Sequence, residues 1–164
     1  GMYNFPEDKL AKGDLIRFDV GCVYRGYLSD TARTFSLGKP AEKAAAYYDA
    51  LLAGQDRALG MVGPGATGDE IFNATVQEVR RRGIPHYNRQ HVGHGMGLAL
   101  GGYDGPRLAP GDRTPLEPGI VLAVEAPYYE LGMGGLQVED TVLVTEDGCR
   151  RWTAMSRNLE ILEP

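Results

Sequence analysis

Two segments, each able to fold back on itself and bring two carboxylates to one face, constrain the fold of this 164-residue chain more than anything else in it. In Leu15 to Val23, alternation puts Ile16, Phe18 and Val20 on one face and Arg17, Asp19 and Gly21 on the other, the pattern of a half-buried strand. A tight turn at Tyr24-Arg25, with Gly26 beside it, returns the chain through Tyr27 to Phe35 and sets Asp30 directly across from Asp19. The second segment runs out along Ile120 to Glu125 and returns along Leu136 to Thr145. A turn centred on Gly132 places Glu125 opposite Glu139.

Like charges facing one another on a sheet destabilise it, and burial raises the cost. Taken singly, Asp30 reads as a turn cap and Asp19 as a surface charge paired with Arg17 or Arg33. Two facing pairs with an imidazole between them call instead for a cation. That imidazole is His94, in Val92-Gly93-His94-Gly95-Met96-Gly97, where small neighbours let the backbone approach whatever the ring touches. Hard oxygen donors with one nitrogen suit manganese, cobalt, iron or zinc, and Asp19, Asp30, His94, Glu125 and Glu139 together are enough for two divalent ions.

These residues carry a resemblance. Phe18-Asp19-Val20-Gly21, Gly26 to Phe35, Gly93-His94-Gly95-Met96-Gly97-Leu98, Leu116-Glu117-Pro118-Gly119, Val124-Glu125-Ala126-Pro127 and Val138 to Thr145 occur in the order seen in the methionine aminopeptidase, prolidase and creatinase family. The chain resembles that family from about residue 12 to 162, and Glu139-Asp140-Thr141 is closest to its prolidase-like branch. The resemblance implies the pita-bread fold. It also implies that Asp19, Asp30, His94, Glu125 and Glu139 bind two metals, with Glu139 bridging. In such enzymes a metal-bound hydroxide attacks the scissile carbonyl of a short peptide, and Glu125 would carry the proton to the leaving amine.

The departures also matter. Family members place a histidine shortly upstream of the first Asp, whereas this chain has only His86, His91 and His94. The expectation is a single catalytic domain over residues 1–164 that lacks most of the N-terminal half of the fold. After the His94 motif, where prolidase-like members read His-Glu, this chain has Ala99 to Pro106, so Tyr103 is the substrate-binding candidate there. His91 and Gln137 are the other two.

Between the hairpins the spacing predicts a helix from Glu42 to Val62 with its stripe at Ala45, Tyr48, Leu52, Leu59 and Val62, ended by Gly63-Pro64-Gly65. Thr67 and Glu70 form a capping-box signal for a second helix, running to about Arg82. Helices outside antiparallel hairpins indicate α+β. Tyr103, Tyr128 and Tyr129 are candidates for a pocket lining, and Trp152 is expected in the core.

The net charge of -5 argues against a nucleic-acid surface, and no apolar run approaches the ~18 residues that span a bilayer, so a cytoplasmic setting is expected. Two functional readings result. One is a metal-dependent peptidase of the aminopeptidase or Xaa-Pro dipeptidase type. The alternative is a catalytically silent module or enzyme fragment that binds a peptide or protein partner, with a homodimer covering the exposed edge.

Overall fold

The structure, a computed structural model, describes residues 9–98 and 104–163. Tyr103 lies outside the described residues. The chain runs β1 (Leu15–Val20), β2 (Val23–Tyr24), β3 (Tyr27–Leu28), β4 (Thr31–Leu37), α1 (Glu42–Leu59), α2 (Gly68–Arg81), β5 (Gly93–Gly95), β6 (Asp104–Arg107), β7 (Val121–Glu130), β8 (Gly134–Thr145), β9 (Gly148–Arg151) and β10 (Glu160–Leu162). One sheet has the order β1-β4-β8-β7-β5-β6, with β9 added to β8 and β10 running parallel to β4. The remaining pairings in that sheet are antiparallel, and this is the expected α+β arrangement.

The second hairpin forms as expected. Glu130 pairs with Gly134 around a turn containing Gly132, and Glu125 stands opposite Glu139. The first differs by one residue at its turn. Tyr24 pairs with Tyr27, so the two turn residues are Arg25 and Gly26, with φ of 52° and 90°. A two-residue hairpin turn of this kind needs positive φ at both central positions, and Gly26 adopts it without strain. Moving the turn by one residue moves every cross-strand partner by two, so Asp19 lies opposite Ala32 rather than Asp30. An even shift preserves the face, and Asp19 and Asp30 remain on the same side as diagonal neighbours.

The sheet's other face carries the core. Leu122, Val124 and Ala126 of β7 and Leu136, Val138, Val142 and Val144 of β8 are all buried in one cluster with Tyr48, Leu51 and Ala58 of α1. The stripe of α1 differs from the expected one, because its buried line is Ala44, Tyr48, Leu51, Gln55 and Ala58. A polar residue within the stripe disguises it. Gln55 is fully buried because its amide donates to Val124 O at 3.0 Å and to Asp140 Oδ2 at 3.1 Å. The helix ends at Leu59, three residues before the expected limit. Helix α2 begins as expected, with the Thr67 and Glu70 side chains each bonding the other's backbone N–H.

Trp152 does not join the core. It is half exposed, just beyond edge strand β9, and faces a groove of about 690 Å3 shared with Tyr24 and Tyr27. Tyr128 is buried, its ring edge-on to Tyr47 and its hydroxyl 2.7 Å from His86 Nε2, so it serves packing rather than a pocket. Among the described residues no helix is long and apolar enough to cross a membrane.

Candidate metal centre

Register alone places the acidic residues. Asp19 of β1 pairs with Ala32 of β4, Ala32 with Glu139 of β8, and Glu139 with Glu125 of β7. Directly paired residues share a face, so these four side chains form one row across four strands. Ala32, 1% exposed, is the small residue that leaves room in the row. Asp30 lies two residues before Ala32 and Gln137 two before Glu139, which puts both on that same face. His94 pairs with Ala123, two residues before Glu125, and so joins them.

Gly93 allows β5 to reach this position. Its φ is 153°, and a Cβ there would lie 2.3 Å from Ala123 O and 2.7 Å from Leu108 Cδ1. Gly21 has the same function in the first hairpin, where an added Cβ would meet Ser29 O at 2.1 Å.

Asp30, His94 and Glu139 bring one ligand atom each to within 4.8 Å of one another, with His94 Nε2 3.8 Å from Asp30 Oδ2. Glu125 is joined to this group by Gln137, whose Nε2 donates to Glu125 Oε2 at 3.2 Å and Glu139 Oε2 at 3.0 Å. Its other oxygen lies 3.0 Å from His91 Nδ1. Asp19 stands at the rim and turns to Arg17, whose Nη1 donates to Oδ2 at 2.7 Å and also to Gln137 Oε1. Thus the structure gathers Asp30, His94, Glu125, Glu139, His91 and Gln137, and holds Asp19 nearby through a local ion pair.

The electrostatics match the crowding. Glu139, 2% exposed, has its carboxyl pushed up from 4.5 to about 9, first by burial and then by Glu125, Asp30 and Asp19. Asp30 is raised by burial and by Asp19. Groups in this state accept either a proton or a cation. Carboxylate oxygens around one imidazole are a donor set for a divalent ion, and the residues present therefore fit one.

Two features have no clear signal in the sequence. Arg33 and Asp140, 3% and 0% exposed, form a buried ion pair beneath the site, in which Arg33 also donates to Ala32 O, Glu139 O and Ser156 O. This fixes the backbone on either side of Glu139. The other is the role of Gln137, since the spacing that puts it near Glu139 does not show it reaching Glu125 as well.

The sequence matches the model of Metallopeptidase family M24 over residues 2–146. It is 35% identical over 153 residues to the Xaa-Pro dipeptidase of Pyrococcus furiosus, covering 93% of this chain and 43% of that protein. Among solved structures, dipeptidase PepE from Mycobacterium ulcerans superposes with a TM-score of 0.90 at 32% identity, over 96% of this chain and 42% of the other. The Xaa-Pro dipeptidase from Bacillus anthracis gives 0.88 at 35%, over 95% and 43%. The chain therefore spans less than half the length of the relatives it matches, and within that span its fold is the pita-bread fold. On the family match and these relatives together, the chain belongs to metallopeptidase family M24.

Proposed function

We propose that this chain carries the metal centre of a divalent-metal-dependent peptidase of the Xaa-Pro dipeptidase or aminopeptidase type, which hydrolyses the N-terminal bond of a short peptide. The observation that carries the reading is the row of carboxylates on one sheet face, closed by buried His94, with Glu139 pushed up to about 9. In this reading Asp19, Asp30, His94, Glu125 and Glu139 hold two divalent ions. Such ions supply Lewis acidity toward a carbonyl and lower the pKa of water, so that neutral pH provides a nucleophile without serine or cysteine.

The chain's own residues do the rest. Glu125 holds the proton that must reach the leaving amine, and His91 at 3.0 Å orients it. Gln137 keeps Glu125 and Glu139 at a constant separation through its two donated bonds. Burial of His94 and Glu139 excludes bulk water and strengthens each interaction in the site.

A second reading is favoured by one observation, the apolar exposure of edge strand β1. Here the module binds a peptide or protein without turnover, and edge strand β1, with Phe18 and Val20 each 52% exposed, pairs with a second copy. Assays with manganese or cobalt against Xaa-Pro and Met-Xaa peptides separate the two. Turnover abolished by Glu125→Gln supports the peptidase. Background rates with metal bound support the silent module, and a monomer in sedimentation rejects the pairing.

A further inference from the structure

The side chain of Gln137 uses every hydrogen-bonding position it has. It is 2% exposed, and its Nε2 donates to Glu125 Oε2 at 3.2 Å and to Glu139 Oε2 at 3.0 Å. Its Oε1 accepts from Arg17 Nη1 and, at 3.4 Å, from the Tyr129 hydroxyl. The main chain is pinned separately. The buried Thr34 hydroxyl accepts from the Gln137 N–H at 2.8 Å and donates to the Gln137 carbonyl at 3.1 Å. With the backbone held, what remains open is which way round the amide lies.

The neighbours decide it. A guanidinium only donates, and a carboxylate oxygen accepts. Turned over, the amide would set its N–H bonds against Arg17 and its oxygen against both carboxylates, in a buried place where unmade hydrogen bonds are costly. The Tyr129 hydroxyl can donate or accept and so imposes no direction, whereas the guanidinium does. Arg17 is itself held, with Cζ 5.4 Å from the Tyr129 ring centroid and Nη1 also donating to Asp19 Oδ2 at 2.7 Å. Nη1 carries two hydrogens, one for each acceptor, so Asp19 can turn to a cation without costing Gln137 its donor.

We infer that Arg17 is a positioning residue of the metal centre and acts through Gln137. From β1, two strands away from β8, its guanidinium fixes the direction of the amide, and the amide then holds Glu125 and Glu139 at one separation. The inference rests on the metal-centre reading and adds to it a residue that binds no metal itself. Charge alone makes the opposite demand, because a guanidinium beside the site repels an incoming cation. The two effects of Arg17 on metal binding thus differ in sign, and only the one carried by Gln137 disappears when Gln137 is replaced.

The first test follows the side-chain amide protons of Gln137 by NMR in chelator-treated protein. Arg17→Met should speed their exchange with solvent about tenfold or more, and Arg17→Lys, which keeps a donor, should restore part of the protection. The Gln55 amide, buried on the other face against Val124 O and Asp140, is the internal control and should not change. The second test titrates manganese by calorimetry into the parent, Arg17→Met, Gln137→Met and the double variant, with thermal melting to confirm that each folds. Arg17→Met should be less favourable to binding in the parent than in the Gln137→Met background by about fivefold or more. Unchanged exchange at Gln137, equal acceleration at Gln55, or the same effect of Arg17→Met in both backgrounds overturns the inference. Should Gln137→Met not fold, the exchange rates of the Arg17 variants decide alone. A parent that binds no manganese would reject the metal-centre reading, while Arg17-dependent protection of Gln137 would still support the positioning role.

Discussion

Removing divalent metal should make the stability of this chain fall as pH rises from 5 to 9, and Glu139 should be the main cause. Its carboxyl titrates near 4.5 in the unfolded chain and at about 9 in the fold. Between those values the folded state keeps a proton that the unfolded state has released. More protons are bound when folded, so stability is complete below about 4.5 and is lost progressively up to about 9. The slope is about 1.4 kcal/mol per pH unit, a ceiling of roughly 6 kcal/mol over the window, and relaxation with entry of water leaves on the order of half of it. That is still a large part of the 5–15 kcal/mol typical of a domain. Asp30, also raised, adds in the same direction. Glu78, lowered to about 2 by Arg81 and Arg82, loses its contribution only below pH 4.5 and does not interfere. Urea unfolding of chelator-treated protein at pH 5, 6, 7, 8 and 9 measures the slope. Glu139→Gln should reduce it to the part left by Asp30, and saturating manganese should stabilise the parent most at the alkaline end. A flat or rising profile in the metal-free parent, or the same slope in Glu139→Gln, would refute the reasoning.

Three further outcomes are expected from the scaffold. Asp140→Asn leaves the Arg33 guanidinium buried without its counter-charge and should cost about 3 kcal/mol or more, roughly 10 °C in Tm by calorimetry. Gly93→Ala forces a Cβ against Ala123 O and should cost about 2–4 kcal/mol while weakening manganese binding, because His94 is the next residue; calorimetric titration beside a melting curve checks both effects. Thr67→Ala removes the capping box and should cost about 1 kcal/mol in urea unfolding without changing metal affinity.

The parts of the fold legible in the sequence share a short range. The β7–β8 turn, with Glu125 facing Glu139, is set by alternation and by glycines around the midpoint. The start of α2 is set by Thr67 and Glu70 three residues apart. Where short-range signals compete, the reading slips. Tyr24-Arg25 and Arg25-Gly26 both offer a two-residue turn, and only the φ values decide for the second. In α1 the hydrophobic pattern points to Ala45 and Leu52 because Gln55 hides the true stripe, and Gln55 is interpretable only once Asp140 is beside it.

The site divides in the same way. The candidate residues Asp30, His94, Glu125, Glu139, His91 and Gln137 are identifiable from residue type, spacing and resemblance, and all meet on one face. Asp19 shows the limit, since both its strand face and the Arg17 alternative are readable, and in the structure it occupies the face while bonding Arg17.

By itself the sequence determined which side chains are candidates for the site and that they come in hairpin pairs, because turns and alternation act over a few residues. Only the tertiary structure decided how the pairs combine. The contact of Ala32 with Glu139 joins strands more than a hundred residues apart, beyond the range of any local preference. That contact turns two separate acidic pairs into one row. It also brings Arg17 of β1 over the Tyr129 ring of β7, which no spacing in the chain could reveal.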